Sequence, residues 1–285
     1  MVLTDDIQTF VHGIPIEREF VGIYFNSIHP WMPFLSEKLF MERVLSPLGP
    51  ARPESTMLVA TVKLIALPPP NLVARSAIYK SIKANLLSAE ALGLLELKIF
   101  QSLVLLSLYE LGHAIYPEAY MTIGHCIRYG HSLGLEKTVE QDSPAGLDNL
   151  EAEERRRSWW AIVVLEHLMT LGCVDRASPV GHPKNTSLLP ADDMVWEVDG
   201  QQDVIQHRLC DPPTATMGRF CLTAQAAILL GKVFMQIHDP ANDEGMRDHE
   251  ARVLENTIAA LTEVSLQEGR LRGVGVCSPT TICYR

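Results

Sequence analysis

The stretch from Glu151 to Trp196 constrains the fold more than any other part of the sequence. It opens with glutamates, turns basic at residues 155–157, and then runs Ser-Trp-Trp-Ala-Ile-Val-Val-Leu over 158–165 with hardly a polar group. Glutamates in a first turn favour the positive end of the helix dipole. Apolar residues on nearly every face are typical of a helix in the middle of a bundle. The sequence therefore predicts a central helix that ends near Gly172, where Pro and Gly interrupt the pattern.

Two further expectations concern the ends of this stretch. The three arginines stand beside glutamates at 151, 153 and 154, a pattern typical of a solvated or snorkelling helix face. After the helix we expect a long ordered loop that closes at Leu-Leu-Pro-Ala-Asp-Asp-Met-Val-Trp, residues 188–196.

The remaining apolar periodicity predicts more helices and no strands. A short aromatic helix within 22–35 must end before Pro30, with its aromatic residues in the core and His29 hydrogen bonding in the turn. Longer helices are predicted at 55–66, 71–87, 90–111, 117–133, 218–237 and 248–267, with a polar linker at 136–149. Stacked antiparallel helix pairs around the central helix are the natural architecture, so the predicted class is all-α.

Composition narrows the classes of function. The 285 residues are 47% hydrophobic and 20% charged, which is typical of a folded chain with a substantial core. A formal charge of −10 argues against DNA binding by this chain alone, because phosphate contacts need clustered Lys and Arg. The six cysteines show no Cys-x-x-Cys pair, which fits a reducing compartment. No apolar run reaches the roughly 20 residues of a membrane span, so we expect no membrane partner.

Enzyme and metal sites are weakly supported. Glu110 and His113 have the Glu-x-x-His spacing of di-iron proteins, but that architecture needs a second copy of the motif. His125 and His131 fall on different faces of one helix, and no third zinc ligand is evident. Nucleophile-elbow, phosphate-loop and dinucleotide motifs are absent from the sequence. We therefore predict no catalytic, cofactor-binding or metal-binding residues and no enzyme activity.

Several motifs, in order along the chain, resemble the fungal-specific transcription factor domain. This is the middle regulatory region of fungal binuclear zinc-cluster activators, including the xylanolytic-activator type. The strongest matches are Glu-Arg-Arg-Arg-Ser-Trp-Trp at 154–160, the acidic Glu166, Arg176 in the following loop, and the Leu-Leu-Pro-Ala-Asp-Asp-Met-Val-Trp motif at 188–196. Further matches are Tyr24, Phe25, His29, Pro30, Pro33 and Phe34, the Leu-Gly-Leu at 133–135, and Phe220, Gln225, Ala226, Leu229, Leu230 and Gly231.

The resemblance implies an all-α regulatory domain of a nuclear transcription factor. We expect one domain over 1–285, with a core at about 14–266 and an irregular tail at 268–285 that stops where the family continues with further helices. The family's zinc ions belong to an N-terminal cluster, and no six-cysteine cluster precedes this domain, so no cofactor is expected here and DNA contact needs that module. The implied partners are a small-molecule effector, a co-regulator protein, or a second copy of the chain in a homodimer. In the loop after the central helix, Ala177 stands where the family's Gly-Arg-Pro pattern has its proline.

Two questions stay open at the level of sequence. The alternative function is an all-α small-molecule-binding module or enzyme unrelated to transcription. Glu166 and Arg176 are regulatory candidates, because a carboxylate and an arginine could latch the central helix to the loop that follows it. The competing interpretation is a surface ion pair of at most about 1 kcal/mol.

Overall fold

The computed structural model describes residues 3–12, 19–45, 52–68, 71–140, 149–171, 179–181, 183–196, 205–238 and 244–271. Within these ranges the regular structure is helical, and the β contacts reduce to an isolated bridge between Leu188 and Arg208. The predicted all-α class is confirmed. None of the helices described is both long and apolar enough to cross a membrane.

The chain divides into two compact units, 1–135 and 136–285. The first contains α1 Asp5–His12, α2 Glu19–Ser27, α3 Glu37–Leu39, α4 Pro53–Ala66, α5 Leu72–Ala91, α6 Leu97–Gly112 and α7 Glu118–Ser132. A π-helical turn, Phe40–Val44, continues α3, and a 3-10 turn, Leu135–Val139, follows α7. The second unit contains α8 Asn149–Thr170, α9 Arg219–His238 and α10 Glu244–Leu271.

The first unit is built around α4 and α6. These helices pack on each other, α7 packs on α6, and α5 contacts both α4 and α6. Residues 99–107 of α6 are buried without interruption, as expected of a helix enclosed on several sides. The predicted pairs, 55–66 with 71–87 and 90–111 with 117–133, correspond to α4 with α5 and α6 with α7.

Two predicted boundaries in this unit are wrong. The helix α5, expected to end at residue 87, continues through Ala91, and the helix expected to start at residue 90 starts at Leu97, after a turn. Gly93 has a φ of 68° in this turn, the left-handed conformation that commonly ends a helix.

The aromatic segment at 22–35, which includes the end of α2, follows the prediction except that Trp31 is only half-buried. The helix ends at Ser27, before Pro30, and Tyr24, Phe25 and Phe34 are buried. Nε2 of His29 donates a hydrogen bond to the Leu35 carbonyl at 2.9 Å. The histidine therefore ties the turn to the chain that follows it.

In the second unit α8 is deeply buried, as predicted, with residues 156–167 all enclosed. The helix α9 packs on α8 and α10 packs on α9, so α9 is the helix in contact with both of the others. The helix α10 continues through Leu271, so residues 268–271 of the expected irregular tail are helical. Its last turns are held because buried Glu268 lies 3.4 Å from Nε of Arg219 in α9. The rest of that tail lies outside the described residues.

Candidate functional site

Two of the three arginines in α8 are buried. Arg156 is 4% exposed and Arg157 is fully enclosed, so the expectation of a solvated triplet is wrong for both. Only Arg155 keeps partial exposure. Burying a guanidinium is costly unless charged and polar partners surround it, and those partners come from the segments that pack on α8.

Arg157 joins α8 to the predicted loop motif at 188–196. Its Nη1 donates to Oδ1 of Asp193 at 2.9 Å, and its Nη2 donates to the Ala191 carbonyl at 2.7 Å. The guanidinium carbon lies 4.2 Å from the centre of the Trp196 ring and 5.8 Å from that of Phe220. The planar cation thus has hydrogen-bond acceptors at its edge and aromatic rings around it.

Glu153 is the carboxylate shared by both buried arginines. Its Oε1 accepts hydrogen bonds from Nε of Arg157 at 3.0 Å and from the Ala191 backbone N–H at 2.7 Å. Its Oε2 accepts from Nη1 of Arg156. Together with Asp193, these side chains place two negative charges beside two positive charges. We call Glu153, Arg156, Arg157 and Asp193 the arginine clamp.

Further hydrogen bonds of Arg156, together with one from Trp160, attach more of the chain to the same helix. Nε of Arg156 donates to the Thr138 carbonyl at 3.1 Å, and its Nη1 also donates to Oε1 of Gln206 at 3.1 Å. Nε1 of Trp160 donates to the Leu188 carbonyl at 2.8 Å. The loop backbone is therefore attached to α8 at successive turns of the helix.

Asp193 connects the clamp to the start of α9. Its Oδ2 accepts a hydrogen bond from the backbone N–H of Phe220 at 3.1 Å, a position where the helix dipole favours a negative charge. Gly218 permits this approach, because a Cβ there would lie 2.7 Å from the Asp193 backbone nitrogen and 2.9 Å from Oδ2. One carboxylate therefore holds α8, the loop and α9 together.

The clamp has the chemistry of a positioning device. Its charged groups are engaged with one another and with backbone groups. The neighbouring thiol of Cys221 is buried, and this burial raises its pKa well above the usual value. A protonated, enclosed thiol is a poor nucleophile. The arrangement therefore fixes the 188–196 segment against α8.

The predicted regulatory pair is placed only in part. Glu166 lies in α8 and is 3% exposed, whereas Arg176 lies outside the described residues, so the proposed contact between them stays a prediction. The arginine clamp is a helix–loop latch that sequence reasoning missed. The sequence does contain features that could have predicted the clamp. Glu153 and Arg157 are four residues apart on a helix, a spacing that favours an ion pair, and the loop motif at 188–196 carries two aspartates.

The weak metal candidates have other partners. Oε1 of Glu110 accepts hydrogen bonds from the Tyr79 hydroxyl at 2.6 Å and from Nζ of Lys83 at 2.7 Å, and burial raises the pKa of Tyr79. Nδ1 of His113 donates to the Tyr109 carbonyl. Across the described ranges, no group of three His, Cys, Asp or Glu residues is placed to hold a metal ion.

Comparison with known proteins places the chain in a family. The profile of the fungal specific transcription factor domain matches residues 21–221. Transcription factor BOA15 of Botryotinia fuckeliana (strain B05.10) is 36% identical over 143 residues, which cover 47% of this chain and 76% of that protein. No solved structure matches significantly.

Two longer relatives are more distant. The ascochitine biosynthesis cluster transcriptional regulator of Didymella fabae is 27% identical over 182 residues, 58% of this chain and 30% of that protein. Transcription factor tazR of Aspergillus terreus (strain NIH 2624 / FGSC A1156) is 25% identical over 166 residues, 52% of this chain and 24% of that protein. Because the family profile covers well over half of the chain, the chain belongs to the fungal specific transcription factor domain family, and its role is in the regulation of transcription.

Proposed function

We propose that this chain is the regulatory domain of a nuclear transcription factor. The family match over residues 21–221 carries the proposal, because it runs across both compact units. On the same ground, residues 14–266 act as one regulatory domain. The relatives are named as two transcription factors and a transcriptional regulator of a biosynthesis cluster, which supports a nuclear location.

In this proposal the chain regulates and a separate module contacts DNA. The formal charge of −10 supports this division, since an acidic surface repels phosphates. The zinc ions belong to that separate module, and this chain works without a cofactor. Its partners are a co-regulator protein, a small-molecule effector or a second copy of the chain, and it acts away from membranes.

A non-catalytic role is supported by the arginine clamp. The most polar buried cluster of α8 is occupied by Glu153, Arg156, Arg157 and Asp193 binding one another and the loop backbone. This leaves the cluster to hold the largely buried 188–196 segment in place against α8.

A fusion experiment tests the proposal. Residues 1–285 are fused to a DNA-binding module of known operator and expressed in a fungal nucleus with a reporter gene. We expect reporter output to differ from that of the DNA-binding module alone, and only when the operator is present. The purified unfused chain should not shift a duplex in a mobility assay at physiological salt. Unchanged reporter output from a folded fusion would contradict the proposal.

The same fusion tests Glu166 and Arg176 as regulatory residues. If they form a latch, Glu166→Ala and Arg176→Ala should each change basal or induced output, and the double variant should change it no further. Additive effects, or changes that follow the amount of protein, would leave the pair without a regulatory role.

A further inference from the structure

The first helix, α1, precedes the region that matches the family, which begins at residue 21. It packs on α4 and α5 of the first unit. We propose that α4 and α5 form a recognition surface for an amphipathic helix, which α1 covers as a reversible cap and which a helix of a co-regulator protein takes when α1 leaves. The inference names a partner site of the proposed regulatory domain and rests on that function for its biological meaning. Opening and docking are measured without DNA or transcription, so the two proposals can fail separately.

The apolar residues of α1 have the spacing of a helix that docks in a groove. Leu3, just before the helix, Ile7 and Phe10 recur at intervals of four and three. Ile7 is fully enclosed, whereas Leu3 and Phe10 are partly covered. The intervening residues, 4–6 and 8–9, are exposed. Apolar anchors at these intervals on an otherwise polar helix are the pattern of helix-in-groove recognition.

Lys63 of α4 binds the C-terminal end of α1. The residue is 3% exposed, and its Nζ donates a hydrogen bond to the Phe10 carbonyl at 2.6 Å. The same Nζ lies 5.0 Å from the centre of the Phe10 ring and 5.9 Å from that of Phe20 in α2. The last four carbonyls of a helix lack partners within it and carry its negative end. A buried ammonium at this place therefore recognises a helix by its C-terminal end.

Two polar side chains of α5 bind the other end of α1. Nδ2 of Asn85 donates to Oγ1 of Thr4 at 3.2 Å, and the Ser81 hydroxyl donates to Oδ2 of Asp6 at 3.3 Å. Asn85 is 4% exposed, so a largely buried amide faces the start of the helix. Because α4 and α5 bind opposite ends of α1, the surface selects the direction of the helix as well as its apolar side.

The attachment of α1 is limited enough to be reversible. The helix has eight residues, among which Ile7 is the enclosed one. Isolated helices shorter than about 12–15 residues are marginal in water, so α1 is helical because it is docked. Segments with few buried apolar contacts open locally while the rest of the protein stays folded. Opening uncovers the sites of Ile7 and of the Phe10 carbonyl together, and a helix with the same anchors can take both.

Amide hydrogen exchange of the full chain tests this opening. We expect the backbone amides of α1 to exchange at least about tenfold faster than those of α4. Lys63→Met should quicken exchange in α1 by a further factor of about ten, because a hydrogen bond to a charged group is lost. Lys80→Met, which alters an exposed lysine of α5, should leave exchange in α1 unchanged.

A fluorescent peptide of residues 3–12 is the probe for the uncovered surface, since it carries the same anchors. In the unaltered chain α1 competes with the peptide, so binding should be weak. Ile7→Asp in the chain undocks its own α1 and should raise the affinity for the unaltered peptide by about tenfold or more. Gln8→Asp places the same charge at the exposed neighbour and should bind the peptide like the unaltered chain. A peptide that itself carries Ile7→Asp should bind to none of the chains.

The proposal is overturned if α1 exchanges as slowly as α4, or no faster in Lys63→Met than in Lys80→Met. It is equally overturned if the Ile7→Asp chain, folded or unfolded by its melting curve, binds the unaltered peptide no better than the Gln8→Asp chain does. A dimer that Ile7→Asp converts to a monomer in sedimentation would make α1 of a second copy the occupant, and would overturn the co-regulator site.

Discussion

Arg157 carries its charge in a part of the molecule that water does not reach. The residue is fully enclosed, and Glu153 and Asp193 lie on either side of its guanidinium. Such an arrangement is stable only while every partner is present, because removing one charge leaves the others buried and uncompensated.

Arg157→Met should therefore lower the free energy of unfolding by about 3–5 kcal/mol, measured by urea denaturation. Arg252→Met is the control, since Arg252 lies exposed on α10 and, among the residues that the structure describes, bonds only within its own turn. This change should alter stability by at most about 0.5 kcal/mol. Combining Arg157→Met with Asp193→Asn should cost less than the sum of the two single changes. Strict additivity would show that the two side chains are not energetically coupled.

Gly218 is the second residue on which the clamp depends. Gly218→Ala should destabilise the chain by about 1–3 kcal/mol, because the new Cβ would meet the Asp193 backbone, which cannot turn aside as a side chain can. Gly22→Ala, in α2, meets no atom within 4 Å and should stabilise the chain by about 0.5–1 kcal/mol. Thermal melts of the two variants should shift in opposite directions, and equal shifts would contradict the close approach at Gly218.

At the scale of the element, α8 organises the second unit because it is enclosed on several sides. Trp159 and Trp160 point about 100° apart on the helix, yet they are 3% and 0% exposed. Adjacent tryptophans can both be buried only when separate segments pack on neighbouring faces of their helix.

Trp160→Ala should cost about 3–5 kcal/mol, since it empties a fully buried site and removes the hydrogen bond to the Leu188 carbonyl. Trp160→Phe keeps much of the volume and should cost clearly less. Chemical denaturation followed by circular dichroism measures both changes. A mild effect of the alanine variant would mean that α8 is peripheral.

At the scale of the whole molecule, the family match and the arginine clamp cover different lengths of the chain. The family profile extends over residues of both compact units, whereas the arginine clamp belongs to the second unit. The clamp therefore fixes structure within one unit, whereas family membership describes the chain across both.

The sequence by itself determined the helical elements and the family. Apolar periodicity and the positions of proline and glycine act over a few residues. They predict the central helix, the short helix that ends before Pro30, and the pairs formed by α4 with α5 and by α6 with α7. The start of α6 was misplaced because the segment before Gly93 is as good a helix former as the segment after it.

Only the tertiary structure decided which polar residues are buried. An arginine beside glutamates has the same local pattern whether it faces water or the core, and Arg157 finds Ala191 and Asp193 more than thirty residues further along the chain. The clamp depends on how distant segments meet, because the cost of burying a charge is set by partners that local sequence does not contain.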